Sequence, residues 1–178
     1  MPKRNSSIGA KALLLVFLVT AATLAGLFLA NALWQRNIYL ERTRNAAMRS
    51  AELIELIVSE PMLLGDNEAT TGQFAKIASN STNSKVFMTD FRGDVTYATD
   101  LASLRQPLTT ILPHPGVSAL LEGALSSGKD AEKLLETGGQ ASFATVHAIK
   151  NAPECHHCHG SRREILGAML TVEDVTPE

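Results

Sequence analysis

The sequence predicts an α+β chain in which an N-terminal transmembrane helix continues into a long helix, followed by a five-stranded antiparallel sheet with flanking helices. Three observations predict it: an uncharged apolar run near the N-terminus, a helical stripe just after it, and five short β-prone segments set off by Gly, Pro and Asp. The corresponding boundaries are a cytoplasmic N-terminus over 1–11, an anchor over 12–34, a helical stalk over 35–60 and a sheet domain over 61–178.

The apolar run reads ALLLVFLVTAATLAGLFLANALW and is interrupted only by Thr20, Thr23, Gly26 and Asn31. At ~1.5 Å of rise per residue it spans the roughly 30 Å hydrocarbon layer of a bilayer. Lys3, Arg4 and Lys11 precede it, and Trp34 closes it as an interfacial aromatic. The competing reading is a cleaved signal peptide, with Ala30-Asn31-Ala32 as a small-x-small site. The run is longer than the ~7–15 residues of a signal core, which favours an uncleaved anchor. Arg36, Arg42, Arg44 and Arg49 follow the span and offset the charges before it, so charge alone leaves the orientation open.

Beyond the span no Gly or Pro occurs until Pro61, and Ala47, Ala51, Ile54 and Val58 repeat at helical spacing as one stripe. That stripe has two readings: ordinary packing, or the seam of a parallel homodimer. Pro61 should end or kink the helix, LLGDNEATTG reads as a loop, and a short helix follows around 71–78. In KVFMTDFRGDVTYATD, strands at 86–89 and 95–99 flank an Asp-Phe-Arg-Gly-Asp turn. PLTTILPHPG reads as a Pro-rich loop and GVSALLEGALSSG as a helix closing at Gly128. Strands at 132–136 and 141–150 surround Gly138-Gly139, and a fifth runs over 165–172.

With 178 residues the chain has room for one domain and an appendage. A net charge of -2 supplies no positive field for nucleic acid. No nucleophile setting, phosphate loop or working carboxylate pair stands out, Glu173-Asp174 lying in the tail, so an enzyme is not expected.

Both cysteines and three of the five histidines fall in Cys155-His156-His157-Cys158-His159. This is C-x-x-C-H, the attachment sequence of a c-type haem. Two thiols at that spacing reach the two vinyl groups of one porphyrin, and the next histidine is placed beneath the iron. Cys155 and Cys158 would form thioethers, with His159 as proximal ligand. Three other readings remain: zinc held by the two cysteines and two histidines, a thiol–disulfide exchange site, and an inert disulfide. Zinc lacks a second paired spacing among His114, His147, His156 and His157, and the exchange site lacks a βαβ setting. Haem attachment requires an extracytoplasmic location and so orients the chain outward.

CHHCHG, with the 85–100 hairpin, the helix at 116–128 and the closing ILGAMLTVEDV, resembles the periplasmic haem-c-containing PAS-like (Cache-like) sensor domains of bacterial chemotaxis receptors and histidine kinases. The resemblance implies one covalent haem c, a five-stranded sheet, homodimers through the N-terminal helices, and a single-pass protein of the bacterial inner membrane with its C-terminal domain in the periplasm. It also implies a distal methionine from the N-terminal helical region, which points to Met62. Those receptors continue into a second span and a signalling module, whereas this sequence stops at Pro177-Glu178: the expectation is a fragment of a longer receptor, a protein that signals through a signalling or redox partner protein, or an electron carrier.

The expected function is a haem-based redox or gas-ligand sensor; the alternative is a membrane-anchored monohaem electron carrier. Met88 and Met169 are expected to pack in the sheet. His114, between two prolines, is a further candidate for the iron, and His147 for a propionate hydrogen bond. His156 and His157 are spacers, and Arg162 and Arg163 are candidates to pair with propionates.

Overall fold

The computed structural model describes residues 8–81 and 83–175 and divides the chain into two compact units, Met1–Thr43 and Arg44–Glu178. Lys3, Arg4 and Pro177-Glu178 lie outside the described residues. Helix α1, Ile8–Leu63, contributes to both units.

In the first unit the apolar side chains of α1 are exposed from Ile8 to Trp34. The two threonines within this stretch turn their hydroxyls inward: Thr20 donates to the Val16 carbonyl and Thr23 to the Val19 carbonyl, both at 2.8 Å. Their polar groups are thereby satisfied inside the helix, as a hydrocarbon surrounding requires. Among the described residues this is the one helix long and apolar enough to cross a membrane.

In the second unit α1 buries Ala47, Ala51, Ile54, Val58 and Pro61. The first four are the stripe visible in sequence. Ile54 and Val58 pack with Val86, Met88 and Met169 of the sheet, so the stripe is covered by its own chain and is not a homodimer seam. This also brings the last turns of α1 into the sheet domain, whose unit begins at Arg44 rather than Pro61. Pro61 does not stop the helix, which runs on to Leu63. Its missing N–H costs one bond, but the end is rebuilt immediately: Gly65, at φ +68°, donates to the Met62 carbonyl at 3.0 Å, and Asp66 to the Pro61 carbonyl at 2.9 Å. That pair of bonds is a Schellman closure, which needs a left-handed residue where Gly65 stands.

Helix α2, Asn67–Asn80, begins earlier than expected because Asp66 caps it, its carboxylate accepting from Ala69 N at 2.9 Å. Strands β1, Ser84–Asp90, and β2, Val95–Ala98, form the first hairpin. A one-turn helix α3, Leu108–Ile111, occupies part of the predicted Pro-rich loop and buries Leu108. Helix α4, Pro115–Ser127, ends at Gly128 with φ +63°. Strands β3, Ala131–Thr137, and β4, Gln140–Lys150, are joined through Gly138 and Gly139, both at positive φ, as a two-residue hairpin turn demands. Strand β5, Ile165–Asp174, completes the sheet.

All pairings are antiparallel and the order is β2-β1-β5-β4-β3. The α+β architecture expected from sequence is the one observed. Helix α4 packs on β3, β4 and β5 over a core that includes Phe87, Leu120, Val146 and Leu170. Helices α1 and α2 lie on the opposite face, where Phe74 stacks on Tyr97 with ring centroids 5.7 Å apart.

Candidate functional site

The connection from β4 to β5 carries the cysteine motif. A 3₁₀ turn over Pro153–Cys155 leads into the short helix α5, His156–His159, which ends at Gly160 with φ +67°. Asn151 ties the two ends of this loop. Its Nδ2 donates to the carbonyls of Gly160 at 2.7 Å and Arg163 at 2.8 Å, and its backbone N–H to that of Glu164 at 2.8 Å. Cys155 is half-buried and Cys158 exposed, and the two thiols are not joined. The helical turn presents Cys155, Cys158 and His159 to the same cleft.

That cleft has two lobes sharing Met62, Met88, Ile149, Cys158, His159 and Leu166. The smaller, about 180 Å³, is apolar and adds Val58, Leu63, Cys155 and Met169. The larger, about 850 Å³, is the more polar of the two, with polar and apolar lining in similar parts, and adds Asp66, Asn67, Thr70, Tyr97 and Arg105. Met62 reaches both lobes because the Schellman closure holds the end of α1 beside the motif, and a Cβ on Gly65 would stand 3.9 Å from the Cys158 sulfur. In the polar lobe, burial pushes the Tyr97 phenol above its ordinary value. It therefore stays protonated at neutral pH and donates to the Asn67 side-chain carbonyl.

The donor set fits a c-type haem. Two thiols and a histidine, Cys155 at the end of the 3₁₀ turn and Cys158 and His159 on α5, stand at an apolar lobe, with the thioethers of Met62 and Met88 lining the same space. Sulfur and imidazole are the ligands such an iron takes. Among the described residues no group of three or more His, Cys, Asp or Glu side chains stands together as a metal-ion site, so the extra ligands a zinc site needs are not assembled.

The remaining sequence candidates separate. Met88 and Met169 are buried in the sheet, as expected, yet both also line the cleft. His114 is not brought to the motif: it caps α4, its Nδ1 accepting from Gly116 N at 2.9 Å, and it lines a hollow beside Leu112 and Leu135. His147 is not at the cleft either. It is buried, with Nδ1 3.3 Å from an Asp130 carboxylate oxygen. His156 lines neither lobe, while His157 touches the apolar one with its Nδ1 held 2.7 Å from the Glu154 carbonyl. Arg162 and Arg163 line a third hollow, about 520 Å³, which adjoins the cleft through Cys158, His159 and Leu166, and the Arg163 guanidinium lies 3.2 Å from the centre of the Phe91 ring. Sequence reasoning missed Tyr97, Asn67 and Arg105. Strand alternation could have found Tyr97; nothing in the sequence marks the other two.

No known family profile matches the chain. Several solved structures match in part, two of them as follows. One is described as the sensor region of a sensor histidine kinase, at 18% identity and TM-score 0.40, covering 52% of this chain and 39% of that one. The other is the sensor domain of the V. cholerae histidine kinase DctB, at 15% identity and TM-score 0.46, covering 80% of this chain and 55% of that one. The chain thus spans about half or less of the structures it matches.

Proposed function

We propose that this protein is a membrane-anchored sensor domain, facing the periplasm, that carries one c-type haem and responds to redox state or a small gaseous ligand. The observation that carries the reading is the convergence of Cys155, Cys158 and His159 with Met62 on one apolar lobe. A haem bound there would supply one-electron redox chemistry and an iron coordination position. Cys155 and Cys158 would tether it through thioethers, and His159 and Met62 would be the residues that hold its iron. The apolar wall of Val58, Ile149, Leu166 and Met169 excludes water from the lobe.

Met62 is also where a signal would leave the site. It lies in the last turn of α1, the helix that includes the apolar span, so a change in its bonding acts on the end of that helix. Leu53, Leu56 and Ile57 remain exposed on α1 and are the face available to a second copy of the chain, in place of the buried stripe.

Optical spectra of the purified protein, oxidised and reduced, with and without CO, test the reading. A CO-shifted reduced spectrum is expected if Met62 yields to the gas. An unchanged reduced spectrum leaves a redox sensor or the electron carrier and removes gas sensing. Met62→Ala should change the oxidised spectrum; an unchanged one excludes Met62 as a ligand.

A further inference from the structure

We propose that Arg105 anchors the acidic edge of the haem by pairing with a propionate, an assignment that rests on the haem reading above. The apolar lobe, at about 180 Å³, is smaller than the ~300–1,000 Å³ of ordinary cofactor pockets. A macrocycle tethered at Cys155 and Cys158 would need more room, and of the two spaces adjoining Cys158 and His159 the lobe of about 850 Å³ is larger than the hollow of about 520 Å³ at Arg162 and Arg163. Haem is an amphiphile, with its vinyl groups at one edge and two carboxylates at the opposite edge. The cleft has the same polarity: Cys155 lines only the apolar lobe and Arg105 only the polar one.

Arg105 is the one Lys or Arg side chain among the residues lining the polar lobe, and it makes no ion pair among the described residues. Two of the lobe's carboxylates are engaged in their own turns. Asp66 caps α2, and one Asp90 oxygen accepts from Arg92 N at 2.8 Å and Asp94 N at 3.0 Å. The backbone adds an independent observation. Arg105 has φ +62°, the one non-glycine residue at positive φ among those described. That conformation costs a side chain about 1–2 kcal/mol, whereas glycine adopts it freely. It is held by Arg105 N donating to the Val95 carbonyl at 2.8 Å and Val95 N to the Gln106 carbonyl at 2.9 Å. An arginine kept where the backbone favours glycine points to a use for its side chain. Its exposure suits a partner at an open rim, where neither charge has to be fully desolvated.

The test is the midpoint reduction potential of the haem-loaded protein with Arg105→Gln, Arg105→Gly and Arg105→Lys. The glycine variant relieves the backbone, so a loss shared with Arg105→Gln cannot come from misfolding. Removing the cation leaves the propionate charge uncompensated and favours ferric iron. The reduction equilibrium should fall about tenfold in both, which is about 59 mV for one electron, and Arg105→Lys should restore most of it. Potentials within twofold of the parent's equilibrium in both variants would overturn the assignment while leaving the haem reading intact. A shift seen in Arg163→Gln and not in Arg105→Gln would overturn it in favour of the Phe91 side. A parent protein without covalent haem would overturn both.

Discussion

Under α4 the sheet is dry. Phe87, Leu108, Val117, Val146 and Leu170 are buried against one another. Under α1 and α2 the same strands present Met88, Met169, Thr145, His147 and Thr171, and this face opens into the cleft at the cysteine motif. Thr145 Oγ1, Thr171 Oγ1 and His147 Nε2 are buried there without a hydrogen-bond partner among the described residues. The helix covering them contributes alanines, Ala47 and Ala51, where α4 contributes leucines. One face holds the domain together. The other carries buried polar groups and, where Met88 and Met169 reach it, borders the open cleft beside Cys155, Cys158 and His159.

The largest effect should come from breaking the dry face. Phe87→Ala empties a fully buried ring site and should cost about 3–5 kcal/mol, read as a lower urea midpoint at unchanged slope. A loss below 1 kcal/mol, on the order of a surface substitution, would mean that the α4 face is not the stabilising one. Next comes the seam between β1 and β5, where Gly167 stands opposite Asp90. A Cβ there would run into the Thr89 carbonyl oxygen, so Gly167→Ala should destabilise by about 1–3 kcal/mol through strand separation.

Much of this division was legible in sequence and part of it was not. The strands were readable because β-branched residues and paired glycines announce them locally, as at Gly138-Gly139. The buried stripe of α1 was readable too, since helical spacing alone selects Ala47, Ala51, Ile54 and Val58. What covers that stripe was not, because the sheet residues Val86 and Met169 lie far away in sequence. Pro61 misled because its cost is local, whereas the Gly65 closure that carries the helix past it depends on backbone conformation. The motif itself was plain, but its cleft draws on α1, α2, β1, β2, β4 and β5, so Arg105 and Asn67 could not be joined to it beforehand.

Two smaller effects sharpen the contrast from the other side. Thr171→Val removes an orphan hydroxyl at nearly constant volume and should stabilise by about 1 kcal/mol; a loss would show that the hydroxyl is bonded to water. The smallest effect concerns Glu173, whose carboxyl burial raises above its ordinary 4.5 while a Ser50 hydrogen bond partly opposes the rise. The folded state then favours the protonated form, so stability falls as pH rises through the raised value. Glu173→Gln should therefore raise the melting temperature at pH 7, with the gain vanishing below about pH 4, under the ordinary range of Glu. A gain that is independent of pH would contradict the assignment.

The central claim is that the cleft face exists to hold a covalently attached haem. The most direct measurement is the intact mass and visible spectrum of the protein purified from cells that mature c-type haem. The account predicts a chain heavier by one haem, with the spectrum of a thioether-linked haem, and loss of both in the Cys155→Ala, Cys158→Ala double variant. A chain at its bare mass with no visible absorption, or full haem retained by the double variant, would contradict it.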